Sequence, residues 1–217
     1  MFANSLKTIK DFLLEILLPE DPMIKEIGKR ASSGSEVFEK AGLAEEAWIR
    51  PLFNYRDPYV AKAIWELKYR GNVEIAKIFA SLLKDSMLED LSEDGVLQNF
   101  TKPLLIPAPL SRKREAVRGF NQAKLILDEF KKMKMDLEIS YSAIKKIRHT
   151  EPQTSFSKKS ERLENLRGAF EANAPAILGR NIIIFDDVTT TGATLREIRK
   201  TLLSAGAKKV IAYTLAH

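Results

Sequence analysis

The chain has 217 residues, 45% hydrophobic and 29% charged, with a formal net charge of +6 and an isoelectric point near 9.4. That length accommodates one domain with a small appendage, and the modest basic excess fits a plain soluble surface or an anionic partner such as phosphates or nucleic acid. There is no cysteine, which excludes disulfides and thiolate metal sites; the apolar stretch 12–18, broken by Glu15, is too short to cross a bilayer, so a cytoplasmic protein without membrane insertion is expected. In chain order, Phe2, Leu6, Ile9, Leu13, Ile16 and Leu17 recur at helical spacing and predict an amphipathic helix over 5–18, ended by Pro19 and Pro22. Residues 28–47 are small, charged and turn-rich, the composition of a linker or weakly packed segment. Residues 58–92 predict two helices, the first stopped by Gly71 and the second opened by Asn72, a good N-cap. One-sided apolar spacing on the first places Trp65 in the core; Trp48 is undetermined. "KPLLIPAP" predicts a short strand and "FNQAKLILDEFKKM" a helix; residues 137–147 alternate weakly, as one strand would; residues 148–167 are highly charged without apolar period. Residues 182–185 predict a buried strand, "ATLREIRKTLLSAGA" a helix with Leu195, Ile198 and Leu202 inward and Gly206 as its stop, and "KVIAYTLA" a last strand. Strands alternating with helices define an α/β fold, a central, mainly parallel sheet flanked by helices, with a helical N-terminal extension.

The chemistry concentrates in "FDDVTTTGAT", residues 185–194. Ligands of open parallel sheets bind beyond the carboxyl ends of the strands, and Asp186-Asp187 stands at such an end. Adjacent carboxylates repel, so they serve no obvious structural purpose there; they suit hydroxyl donors such as a ribose diol, or a metal ion. The following threonines and Gly192 lead into a helix N-terminus, where backbone N–H groups, hydroxyls and the dipole favour an anion, and glycine permits positive φ. Helix capping alone would need one hydroxyl and perhaps one acid. A diol site beside a phosphate site describes a sugar phosphate.

"IIIFDDVTTTGATL" resembles the phosphoribosyl pyrophosphate (PRPP) motif of type I phosphoribosyltransferases. "LLIPAPLSRKREAVRGFNQA", "RHTEPQTSFSKKSERLENLRGAF" and "FNYRDPYVAKAIWELKYRG" are similar to segments of ComF-like competence proteins, and together the matches cover roughly residues 50–217 in order. The resemblance implies a Rossmann-like type I phosphoribosyltransferase fold over 51–217, preceded by a helical segment and linker over 1–50. It implies that Asp186 and Asp187 hold the ribose hydroxyls and that Thr189, Thr190, Thr191, Gly192, Ala193 and Thr194 wrap the 5-phosphate. Ser111, Arg112 and Arg118 are then expected on the pyrophosphate, arginine offering it a bidentate fork; Asn121-Gln122 add donors that could reach the same anion, and Lys113 and Arg114 are balanced between that role and a solvated loop. Residues 145–162 match a flap that closes over the reaction, which makes Arg148 and His149 candidate catalytic residues; His217 is assigned no role.

The implied partners are PRPP with Mg2+ carried on it and no metal bound directly by the protein, single-stranded DNA, and proteins of the competence machinery. The implied activity is pentosyl transfer from PRPP; the alternatives are a non-catalytic single-stranded DNA-binding factor for DNA uptake and a PRPP-sensing regulator. Against the DNA reading, the sequence shows no aromatics interleaved with its basic residues. Many ComF-like proteins carry a four-cysteine zinc module before the "YRDP" segment; without cysteine, residues 19–50 cannot bind zinc in that way, and this segment either packs as a helix or moves freely.

Overall fold

The computed structural model describes residues 21–90, 100–110, 115–116, 119–148 and 165–217. They divide between two units, Met1–Val37 and Phe38–His217. The predicted helix 5–18 lies outside the described residues. In the first unit, helix α1 (Pro22–Ser33) runs into the stretch expected to be a linker. Its end signals are local: the Asp21 carboxylate accepts from Met23 N, Pro22 occupies the first turn, and Gly34 ends it at φ 69°. Gly28 and the serines of its last turn disguised a helix whose caps were present in the sequence.

The second unit is built on five parallel strands. In chain order it contains β1 (Ile49–Phe53), α2 (Pro58–Arg70), α3 (Val73–Asp90), β2 (Leu104–Pro107), α4 (Gln122–Lys132), β3 (Glu138–Ile139), β4 (Ile144–Lys146), β5 (Phe170–Ala172), α5 (Ala174–Ile177), β6 (Asn181–Val188), α6 (Ala193–Ser204) and β7 (Lys209–Ala216). The sheet order is β1-β7-β6-β2-β3, while β4 and β5 form a separate antiparallel pair. Residues 137–147 are thus two short strands in different sheets, because the bend at Tyr141–Ala143 breaks the alternation. Strand β1 was not anticipated: it is five residues long and contains Pro51, which an edge strand tolerates.

Alternation along the strands separates two cores. Leu104, Ile106, Ile182, Ile184, Val210 and Ala212 pack with Leu195, Ile198 and Leu202 of α6. Leu105, Ile183, Phe185 and Tyr213 face the other way and are buried too, on the side where α4 packs on β2 and β6 and against α3. A Phe38–Phe53–Phe79 cluster, with centroids 5.1 to 6.2 Å apart, closes the β1 end. Arg50 Nη2 donates to Asp90 Oδ1 at 2.7 Å and the Tyr213 hydroxyl to Asp90 Oδ2, which ties the end of α3 to β1 and β7.

Helix α2, which supplies one wall of the site, is held at both ends. Asp57 accepts from Tyr59 N (2.8 Å) and from Glu39 N (2.9 Å), fixing its start to the strand edge. Gly71 ends it at φ 59°, where a Cβ would stand 3.0 Å from the Phe120 ring. Asn72 then caps α3 through Glu74 N and Ile75 N, as its sequence position predicted. No helix among the described residues is long and apolar enough to cross a membrane.

Candidate functional site

The central strand β6 continues past the apolar run. Asp186 pairs with Thr214 and Val188 with Ala216, so the acid pair forms the last rungs of the ladder instead of following it. Polar residues can occupy these rungs because the carboxyl end of the strand opens out of the core, where Asp186, Asp187 and Val188 are half-buried. Asp186 Oδ1 accepts from Asp187 N (2.9 Å) and Asp187 Oδ1 from Val188 N (2.8 Å). Each acid therefore spends one oxygen on the backbone. The second oxygen of Asp187 meets Lys68 Nζ of α2 at 3.3 Å. No sequence signal marked Lys68, which lies over a hundred residues upstream of its partner.

Burial, then the charge of Asp187, pushes the Asp186 carboxyl up from 3.8 to about 8, while the Asp187 N–H and Lys68 pull it down. A raised folded-state value means that the folded chain holds a proton the unfolded chain has released between about pH 4 and pH 8, so stability falls as pH rises through that window. The melting temperature of the wild type is expected to drop from about pH 5 to about pH 8, and Asp186→Asn to flatten this drop by a few degrees. Lys68→Met is expected to steepen it. Identical profiles for wild type and Asp186→Asn would show that Asp186 titrates normally.

After Val188 the chain turns into α6 through Thr189–Gly192. Thr189 is buried, its N–H bonded to Ala216 O at 3.0 Å. His217 Nδ1 lies 3.1 Å from Thr189 O, an arrangement that puts the imidazole proton on Nδ1, since a carbonyl only accepts. Gly192 adopts φ 68° as the N-cap of α6 and brings no side chain to the first-turn amides. A cavity of about 190 Å3 opens here, lined by Thr189–Gly192 together with Glu45, Glu46, Ile49, Arg196 and His217. His217 and Arg196 are site-lining residues that the sequence reading had passed over. Arg196 was recoverable: it lies one helical turn after Gly192, on the side where the loop turns.

The other expected residues divide. Ser111, Arg112, Lys113, Arg114, Arg118 and His149 lie outside the described residues. Arg148 donates through Nη2 to the carbonyls of Asn165 (3.0 Å) and Arg167 (2.7 Å), and among the described residues has no bond to the acid pair or the threonine turn. Asn121 is engaged in the local fold. Its Oδ1 caps α4 through Ala123 N and Lys124 N, its Nδ2 donates to Ala108 O, and Gln122 beside it is buried. Trp65 is 43% exposed and not a core residue, because the buried stripe of α2 runs through Val60, Ala63, Ile64 and Leu67 and leaves it on the outer side. It contacts Tyr69, 64% exposed, at 5.3 Å, with Lys62 and Arg70 at 4.8 and 5.3 Å from its ring. Basic and aromatic side chains are therefore interleaved on α2 after all. Trp48 packs against the α6-side core and donates to Glu46.

The class follows from a parallel α/β sheet whose central strand ends on two acids and turns through threonines into a helix. A phosphoribosyl transferase domain model matches residues 116–217. The chain is 32% identical over 158 residues to the DNA utilization protein YhgH of Escherichia coli O157:H7, covering 73% of this chain and 67% of that one. It is 32% identical over 167 residues to the competence protein ComFC of Bacillus subtilis, covering 76% of this chain and 62% of ComFC. A hypoxanthine phosphoribosyltransferase structure from Staphylococcus aureus aligns more remotely, at 16% identity and TM-score 0.37 over 66% of this chain and 63% of that one. The chain belongs to the ComF-like family of phosphoribosyltransferase-type proteins.

Proposed function

We propose that the Phe38–His217 unit binds PRPP at the end of β6 and acts as a phosphoribosyltransferase in the cytoplasm. The observation that carries this reading is the continuity of the acid pair with a threonine turn and a glycine-capped helix start. The outer carboxylate oxygens of Asp186 and Asp187 would accept the ribose 2- and 3-hydroxyls, that of Asp187 beside Lys68. The hydroxyls and amides from Thr189 to Thr194 would take the 5-phosphate.

Magnesium fits as a passenger on the substrate. Two of the pair's four carboxylate oxygens are committed to backbone N–H groups and a third faces Lys68, so the donors present suit hydroxyls better than a resident cation. Bound to the diphosphate, the ion would neutralise leaving-group charge. In the transfer, the C1–O bond breaks with its electron pair departing on diphosphate, while a nitrogen nucleophile forms the C1–N bond and loses a proton. The protein's share would be positioning the ribose and stabilising charge. Ser111, Arg112 and Arg118 are proposed on the diphosphate, with Arg148 and His149 at the flap. Calorimetric titration of PRPP with magnesium tests the reading: saturable 1:1 binding supports it, and no heat from folded protein would overturn it.

A second reading, a factor for single-stranded DNA working with competence proteins, draws on the names of the relatives and on α2. Exposed Trp65 and Tyr69 between Lys62 and Arg70 offer stacking faces beside cations. Anisotropy with labelled oligo-dT is then expected to show affinity that falls steeply with salt, and Trp65→Ala/Tyr69→Ala to weaken it at least about tenfold. Binding that ignores the double variant would remove α2 from this role.

A further inference from the structure

We infer that Arg196 is a phosphate-binding side chain of the threonine turn and that Glu46 aims it. This assignment rests on the PRPP reading above and deepens it.

Helical side chains lean back toward the helix N-terminus. Arg196, in the second turn of α6, therefore returns over Gly192, and its Nη2 lies 3.5 Å from where a Cβ on Gly192 would stand. The guanidinium is held by one edge only. Nε donates to Glu46 Oε1 at 2.5 Å, and Glu46 Oε2 accepts from Trp48 Nε1 at 2.6 Å. The Arg199 guanidinium covers the Trp48 ring at 5.0 Å, so Glu46 is anchored through a packed indole. Among the described residues, neither Nη of Arg196 has a partner, although its side chain is only 28% exposed and lines the cavity beside Thr189–Gly192. A guanidinium has five N–H donors in a rigid plane. With Nε occupied, the Nη groups remain as a preset fork, the geometry that matches phosphate oxygens.

The neighbouring carboxylates define the ligand. Both Glu46 oxygens are occupied, the Arg196–Glu46 pair is neutral as a whole, and Glu45 adds a second carboxylate to the lining, so the cavity has no net positive pull on diffuse polyanions. It would select a ligand that makes directed hydrogen bonds, a compact phosphomonoester such as the 5-phosphate of PRPP. A plain surface ion pair would give the same distance without consequence for binding, and the variants separate the two cases.

The probes are ribose 5-phosphate alone and PRPP with magnesium, titrated by calorimetry into the whole chain. Arg196→Met is expected to weaken both about 10- to 100-fold, the loss of a charged hydrogen-bonding group. Arg196→Lys, which keeps the charge but not the fork, is expected to recover only part of this. Glu46→Gln is expected to weaken binding by itself and to add nothing in the Arg196→Met background, since its effect acts through the arginine. Wild-type affinity in Arg196→Met, or additive losses in the double variant, would overturn the assignment. Should Arg196→Met fail to fold, wild-type affinity in Arg196→Lys would overturn it equally. The Asp186→Asn/Asp187→Asn variant distinguishes the two levels. If it abolishes PRPP binding while Arg196→Met does not, only the role of Arg196 falls. If the wild type binds neither probe, the PRPP reading falls with it.

Discussion

Replacing both acids, Asp186→Asn/Asp187→Asn, is expected to reduce affinity for magnesium-PRPP about 10²- to 10⁴-fold while leaving the fold intact. Each carboxylate has one oxygen bonded to a backbone N–H, and the second oxygen of Asp187 meets Lys68. Above about pH 8, where Asp186 is ionised, accepting a ribose hydroxyl on a charged oxygen contributes about 1.5–3 kcal/mol per bond, and two such bonds give the stated range. Asparagine preserves shape and the backbone-facing acceptor but removes the charge. Stability should move little, or upward at alkaline pH, because ionised Asp186 is disfavoured by burial and by Asp187. Loss of binding without loss of stability would identify a ligand site. Calorimetry and thermal unfolding of the same preparations check both halves; unchanged affinity would mean that the acids serve only the strand end.

What the sequence disclosed and what it hid follow from the range of the interactions. Gly71, Asn72, Gly192 and Gly206 mark ends that local dihedrals and caps determine, and each stands where expected, Gly192 at φ 68° and Gly206 at φ 93°. The acid–threonine run was visible because one strand end and one turn contain it. Strand β1 was hidden because its burial comes from β7 and not from its own pattern. Asn121 was read as an anion donor, and residue type alone does not reveal that its side-chain oxygen also caps its own helix. Trp65 was misplaced because the buried stripe of α2 turns away from it by a fraction of a turn. Lys68 and Glu46 were unreadable: the bond from Arg196 to Glu46 spans 150 positions, and only the assembled sheet brings the segment before β1 alongside α6.

Gly192→Val is expected to damage stability and binding together. The backbone at Gly192 is left-handed, φ 68° and ψ 2°, which costs an ordinary residue about 1–2 kcal/mol and a β-branched one more. The new Cβ would stand 3.2 Å from Ile49 Cδ1. Ile49 is buried in the α6-side core, where yielding by tenths of an ångström displaces further neighbours. The total expected loss is about 2–4 kcal/mol, measured as a fall in the urea midpoint without change in slope. The added methyls would also crowd the Arg196 guanidinium and reshape the turn, so PRPP affinity should fall beyond what unfolding explains. Gly179 supplies the control: its φ is 72°, yet nothing lies within 4 Å of its Cβ position. Gly179→Ala should therefore show the dihedral cost alone, and Gly192→Ala that cost plus the contact with Ile49. Equal losses for the two alanines would mean that the core beneath the turn has slack, and that any binding defect of Gly192→Val comes from the altered backbone and not from pressure on Ile49 and Arg196.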